Sequence, residues 1–141
     1  MKKTLAIIVV VILVLAGGLA VSYNGLAGDR ESVDTAQADV ETMLQRRADL
    51  IPNLVSTVKS YAKHETEVFD KVLEARSQLM DADTMEEKAE ADQQVESALN
   101  GLKVVVENYP ELKSDTTYVS LMDELSGSEN RISVEKIIMM L

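Results

Sequence analysis

Residues 33–79 read VDTAQADVETMLQRRADLIPNLVSTVKSYAKHETEVFDKVLEARSQL, and their apolar side chains recur at steps of three, four or seven residues. The positions are Val33, Val40, Leu44, Ile51, Leu54, Val58, Tyr61, Val68, Val72, Ala75 and Leu79. This spacing makes one apolar stripe along a helix, because about 3.6 residues complete a helical turn. No run in the chain shows the period-two alternation typical of a strand. The sequence therefore predicts an all-α fold.

Pro52 interrupts this stripe. A proline removes one helical N–H and clashes with the preceding turn, so it either kinks a helix or begins a new one. The apolar stripe keeps its phase across Pro52, which argues against a long loop. We therefore expect two helices joined tightly, the first ending at Asp49 or Leu50 and the second carrying Pro52 in its first turn.

The next break falls at residues 80–84, which read MDADT. Thr84 and Glu87 have the spacing of a capping box, in which each side chain bonds the backbone N–H of the other residue. A new amphipathic helix should begin there. It should stop before Pro110, because the residue that precedes a proline is disfavoured in helical geometry.

The last helix is predicted after Pro110. Ser114 or Asp115 is placed to cap its N-terminus. Gly127 and Ser128 have low helix propensity, so we expect them to weaken this helix, with a possible resumption at Glu129.

The N-terminal segment is strongly apolar. Residues 5–21 read LAIIVVVILVLAGGLAV without a charge, and residues 4–23 provide the roughly 20 residues that a membrane-spanning helix needs. We therefore predict a short tail and transmembrane anchor over residues 1–23, followed by a helical domain over residues 24–141. Lys2 and Lys3 place the N-terminus in the cytoplasm, so the domain of this single-pass protein is expected on the extracytoplasmic side of the cell membrane.

A cleaved signal peptide is the alternative interpretation of this segment. Gly18 and Ala20 are small residues at the two positions that a signal peptidase would inspect before Val21. The apolar run is longer than the roughly 7–15 residues usual in a signal peptide, which favours a retained anchor.

The charge balance excludes some classes of partner. The chain has 24 acidic and 14 basic residues, and only Lys2 and Lys3 among them precede residue 22, so 12 basic and 24 acidic residues give the remainder a charge of −12. Such a surface repels phosphate backbones, so we predict no nucleic-acid binding. The chain has no cysteine, which excludes disulfides and thiolate metal sites.

No catalytic, cofactor or metal site is predicted. His64 is the only histidine, and Glu65 follows it, but position 68 is valine where the HExxH zinc motif needs a second histidine. The serines have no second histidine or glycine-framed elbow near them, and no glycine-rich phosphate loop is present.

Arg46 and Arg47 are harder to assign. Arg47 falls on the apolar stripe, and a buried arginine needs a partner. The two side chains could extend from the edge of the stripe to solvent, pair internally, or dock a partner protein.

Residues 45–65, QRRADLIPNLVSTVKSYAKHE, resemble the hallmark segment of the LemA family: two arginines, a short apolar step, Pro-Asn-Leu-Val, then Tyr-Ala-x-His-Glu. The resemblance extends over residues 5–133. It implies one N-terminal membrane helix and an antiparallel, up-and-down bundle of four long helices, in bacterial envelope proteins with no established catalytic activity. The family typically continues beyond ENRIS with a basic helical stretch, whereas this chain ends VEKIIMML, so we expect a truncated last helix.

These observations favour a non-catalytic, membrane-anchored helical scaffold or adaptor of the bacterial envelope. Residues 4–23 would lie in the bilayer, and the partner would be another envelope protein, for which the resemblance suggests a membrane protease or its regulator. Arg46, Arg47, Asn53 and His64 are the candidate partner-binding residues. The alternative is an envelope receptor for a small ligand or metal, or an enzyme, that uses His64 with nearby carboxylates.

Overall fold

The computed structural model describes the backbone of residues 2–140 and the side chains of residues 7–19, 30–137, 139 and 140. Every secondary-structure element in this part of the chain is a helix, which confirms the predicted all-α class. The helices are α1 (Lys2–Tyr61), α2 (Thr66–Asp81), α3 (Met85–Val106), α4 (Pro110–Lys113) and α5 (Thr116–Met140).

Helices α1, α2, α3 and α5 form the predicted antiparallel bundle. Helix α1 packs against α5 and against α2, and α2 packs against α3. The short α4 connects α3 to α5. Most of the predicted stripe lies in the core, together with apolar residues of α3 and α5, whereas Val33 and Tyr61 are exposed. The most deeply buried apolar residues of the core include Val40, Ile51, Leu54, Val58, Val72, Val95, Leu102, Leu112, Leu125 and Ile132.

Helix α1 passes through Pro52 without a break, so the junction predicted at residues 49–52 is wrong. Pro52 has no N–H to bond the carbonyl of Ala48, one turn earlier. Arg76 of α2 takes that role, because its Nε donates to the Ala48 carbonyl oxygen at 2.6 Å. The freed carbonyl is thus satisfied from the neighbouring helix. The actual break between α1 and α2 lies ten residues later, at residues 62–65.

The boundaries of α3 follow the prediction. The Glu87 amide donates to Thr84 Oγ1 at 3.2 Å, and Glu87 Oε2 accepts from the Thr84 amide at 3.0 Å, which completes the capping box. Helix α3 ends at Val106, and Pro110 begins α4, a single turn that the sequence pattern did not predict.

Helix α5 is longer than predicted. Asp115 caps it, since Asp115 Oδ1 accepts from the Tyr118 amide at 2.9 Å. The expected weakening at Gly127 and Ser128 is not observed, because the helix continues to Met140. Ser128 is buried, and its hydroxyl donates to the Glu124 carbonyl at 2.9 Å, a bond that is compatible with helical geometry.

The predicted membrane anchor lies at the start of α1. Its side chains at residues 4–6 and 20–23 lie outside the described residues, while the large apolar side chains between Ile7 and Leu19 are 49–72 % exposed. Among the described residues, no helix combines the length and the apolar character needed to cross a membrane.

Candidate partner-binding face on α1

The solvent side of α1 carries small and polar residues over four turns. We call this surface the outer face of α1, and it consists of Gln45, Arg46, Asp49, Asn53, Ser56, Lys59 and Ser60, all of them exposed. These residues lie opposite the buried stripe because they follow the same helical repeat half a turn out of phase. The side chains of Asn53, Ser56 and Ser60 are short, so another helix can approach this surface closely.

The segment that contains the outer face differs in charge from the rest of the chain, although its Arg47 is buried and its Lys63 lies beyond the end of α1. Residues 45–64 contain four basic residues, Arg46, Arg47, Lys59 and Lys63, and one acidic residue, Asp49, whereas the whole chain has a net charge of −10. Arg46 Nη2 lies 2.8 Å from Glu124 Oε2 of α5. Within the described part of the chain, Lys59 and Lys63 form no ion pair. Two cations are therefore left without a neutralising carboxylate on an acidic protein.

The structure separates the four candidate residues. Arg46 and Asn53 belong to the outer face, and His64 is exposed in the connection at residues 62–65. Arg47 lies in the core, where the whole residue is 1 % exposed. Three of the four are thus accessible to a partner, and their role in binding stays a prediction.

Arg47 pairs internally, as one of the alternatives from the sequence foresaw. Its Nη1 lies 3.0 Å from Asp92 Oδ1 of α3, and Lys136 Nζ of α5 lies 4.0 Å from Asp92 Oδ2. We call these residues the Arg47–Asp92–Lys136 cluster. It joins three helices of the bundle through one carboxylate.

The contact between Arg47 and Asp92 is close but poorly aligned for a hydrogen bond. Arg47 Nε and Nη1 and Asp92 Oδ1 have no hydrogen-bond partner among the described residues. Burial raises the pKa of Asp92 above its ordinary value, and Glu96 acts in the same direction, whereas Arg47 and Lys136 oppose the shift. Desolvation therefore outweighs the attraction of the two cations.

This pKa shift predicts a pH dependence of stability. Between the ordinary value of 3.8 and the raised pKa of Asp92, the folded chain binds more protons than the unfolded chain, so the Asp92 contribution to stability falls as pH rises. Asp92→Asn removes this titration. We subtract the free energy of unfolding of Asp92→Asn from that of the wild type. This difference should decrease as the pH rises from about 3.8 and become constant above the raised pKa of Asp92.

Urea unfolding of both full-length proteins at a series of pH values checks this prediction. The pKa values of Glu87 and Asp115 are lowered by hydrogen bonds from backbone amides and change stability in the opposite direction, but they do so in both proteins and cancel in the difference. A difference that rises with pH would contradict the expected sign.

Sequence reasoning missed Arg76, Asp92 and Lys136, because each acts on a residue of another helix. Two signals pointed to them. Pro52 leaves one carbonyl without its helical donor, and Asp92 occupies a position on the apolar face of α3, between Ala89 and Val95. A charged residue on an apolar face is expected to have a partner of opposite charge.

His64, which the alternative hypothesis makes part of a ligand or metal site, is exposed in the connection between α1 and α2. Among the described residues, no group of three or more histidine, aspartate and glutamate side chains is placed to hold a metal ion. The groove between α2 and α3 has a volume of about 440 Å³, and its lining, which includes Gln78, Gln94 and Ser97, does not include His64.

Comparison with known proteins gives one family. The LemA family model matches residues 36–138. Protein LemA of Metamycoplasma hominis is 26 % identical over 110 residues, which cover 77 % of this chain and 50 % of that protein. Magnetosome protein MamQ of Magnetospirillum gryphiswaldense is 25 % identical over an alignment of 158 positions, which covers 94 % of this chain and 58 % of MamQ. Magnetosome protein MamQ 2 of Paramagnetospirillum magneticum is 26 % identical over an alignment of 144 positions, which covers 84 % of this chain and 53 % of that protein. The chain spans about half the length of these curated relatives.

Proposed function

Because this chain belongs to the LemA family, we propose that it is a non-catalytic helical scaffold or adaptor, held at a membrane, that binds a protein through the outer face of α1. The observation that carries this proposal is the contrast between that face and its surroundings. A protein with net charge −10 keeps there a row of exposed polar side chains that includes Lys59, and Lys63 follows in the connection after α1; neither lysine forms an ion pair within the described residues. Interfaces need such accessible, shape-compatible surfaces at which charge guides the partner.

The proposal places residues 4–23 in the bilayer. The described apolar side chains of this segment are exposed, and an uninterrupted row of exposed apolar residues is unfavourable in water. Helix α1 continues from this segment into the bundle, ending at Tyr61, so one continuous helix connects the anchor to the outer face. Lys2 and Lys3 favour a cytoplasmic N-terminus, which puts the bundle on the extracytoplasmic side.

The internal contacts support a presenting role for α1. Arg76 of α2 donates a hydrogen bond to the Ala48 carbonyl, and Asp92 of α3 contacts Arg47. Neighbouring helices thus hold Arg47 and Ala48 on the side of α1 that faces the bundle, and both residues lie between the first and last residues of the outer face. These contacts leave the side chains of Asn53 and Ser56 free to meet a partner. A scaffold benefits from such a rigid surface, because little entropy is lost when a partner binds.

Site-specific photocrosslinking in native membranes tests this function. A photoreactive amino acid is placed at Asn53 on the outer face and, as the matched control, at Gln93, which is exposed on α3. We expect a discrete protein adduct from position 53 and none from position 93. Absence of an adduct at position 53, or equal adducts at both positions, would contradict the proposal.

A further inference from the structure

The outer face of α1 borders a groove that α1 shares with α2. Leu73, Arg76 and Met80 form one row along α2, because they follow one another at steps of three and four residues. Arg76 shows that this row adjoins α1, since its Nε donates to the Ala48 carbonyl oxygen at 2.6 Å. We call the channel between this row and the outer face the α1–α2 groove.

Apolar side chains are exposed in the α1–α2 groove. Leu73 is 41 % exposed and Met80 is 50 % exposed. Met80 and Gln45 of the outer face line a pocket of about 250 Å³, and the buried Leu44 and Leu79 also belong to its lining. An aliphatic side chain that enters this pocket exchanges water for apolar contacts, which stabilises it there. The groove therefore suits an apolar occupant.

The two ends of the groove differ in charge. Lys59 is exposed at one end and Lys63 follows it, and neither forms an ion pair within the described part of the chain. Asp81 is exposed next to Met80 at the other end. It accepts a hydrogen bond from Ser77 at 3.3 Å, but no ion pair of the described residues includes it. A carboxylate on a docked segment is thus attracted to the Lys59 end and repelled from the Met80 end.

From these features we propose that the α1–α2 groove binds an amphipathic helix of a partner protein. This helix carries two aliphatic side chains two turns apart and a carboxylate about two turns further along. The proposal rests on the proposed function and names the chemistry of its partner. Residues seven apart on a helix are separated by about 10 Å along its axis, which matches the separation of Leu73 and Met80. Helices that dock in grooves are anchored by apolar residues at such spacings.

The position of Lys59 determines where the carboxylate lies. Helices α1 and α2 are antiparallel, and Arg76 lies level with Ala48 through its hydrogen bond. Leu73 is three residues before Arg76 and so lies level with about residue 51 of α1. Lys59 is eight residues further along α1, or about 12 Å along the axis. The carboxylate of the partner helix is therefore about eight residues from the aliphatic residue that meets Leu73, on the side away from Met80.

Site-specific photocrosslinking of the full-length protein in native membranes tests this inference. A photoreactive amino acid is placed at Leu73 or at Met80 and, as the matched control, at Val104, an exposed apolar residue of α3. We expect adducts with one and the same protein from positions 73 and 80 and none from position 104. Mass spectrometry should place the two attachment points about seven residues apart in one segment of that protein. A carboxylate should follow about eight residues beyond the point attached to position 73.

A charge reversal tests the carboxylate separately. Lys59→Glu should lower the yield of the adduct from position 73 by about twofold to fivefold, since an exposed ion pair is replaced by a repulsion. Lys103→Glu reverses an exposed lysine of α3 and should leave the yield unchanged. Circular dichroism of each variant establishes that the helices are intact.

The outcomes separate this inference from the proposed function. An adduct from position 53 with none from positions 73 and 80 would overturn docking in the groove while the scaffold role stands. Attachment points in unrelated segments would overturn a helical occupant, and an adduct yield that Lys59→Glu leaves unchanged would overturn the carboxylate. An adduct of two copies of this chain would overturn docking of a different protein. No adduct from positions 53, 73 or 80 would contradict both proposals.

Discussion

Asp92→Leu is expected to destabilise the bundle by about 3–5 kcal/mol, the usual cost of leaving one member of a buried ion pair without its partner. Arg47 is 1 % exposed and cannot lose its charge, because a guanidinium stays protonated in proteins. Lys136 does not compensate, since it also is a cation. Urea unfolding of the full-length protein, followed by circular dichroism, measures this loss.

Two further variants isolate the cause. Asp92→Asn also removes the negative charge, but it keeps a polar side chain of the same size beside Arg47, so it should cost less than Asp92→Leu. Arg47→Met/Asp92→Leu removes both charges and should recover most or all of the wild-type stability, since apolar replacement of a buried pair is often neutral or stabilising. A double variant as unstable as Asp92→Leu would show that packing, rather than the unpaired charge of Arg47, caused the loss.

Arg76→Met is expected to cost about 1–3 kcal/mol, because it leaves the Ala48 carbonyl without a donor in a partly buried position. Methionine retains most of the aliphatic chain, so the comparison isolates the lost hydrogen bond. The loss should fall on α1 at the level of Pro52. Chemical denaturation of the full-length chain measures the decrease in the free energy of unfolding.

The same substitution should cost much less in a Pro52→Ala background. An alanine at that position supplies the missing backbone N–H, and Ala48 regains its intrahelical bond. A double-mutant cycle of Pro52→Ala and Arg76→Met therefore has a coupling energy comparable to the cost of Arg76→Met alone. If Arg76→Met costs the same in both backgrounds, Arg76 does not stabilise α1 by capping this carbonyl.

The parts of the fold that depend on residues close to one another in the sequence were predictable. The apolar stripe set the core side of α1 and α2, and Thr84 and Glu87 marked the start of α3 because both partners of a capping box lie within one turn. The break assigned to Pro52 was wrong for the opposite reason. The donor that satisfies the Ala48 carbonyl is Arg76, on another helix. Local rules cannot foresee a donor that only the tertiary fold brings into place.

The candidate site was predictable to a similar extent. The excess of basic residues over 45–64 can be counted from the sequence, but the count does not show that Arg46 and Lys59 lie on the outer face of α1 while Arg47 lies in the core. The position of Arg47 on the apolar stripe indicated that it needs a partner if buried. The identity of that partner, Asp92, depended on how α3 packs in the bundle. The periodicity of α1 alone does not supply this information.

The measurement that tests the scaffold role most directly is acylation of lysine side chains in native membranes and in the purified, diluted full-length protein. We expect Lys59, and Lys63 just beyond the end of α1, to lose reactivity in native membranes, because a bound partner covers the outer face of α1 and the connection next to it there. Lys103, which is exposed on α3, should react equally in both samples. Equal reactivity of Lys59 and Lys63 in both samples would contradict a partner-binding role for the outer face.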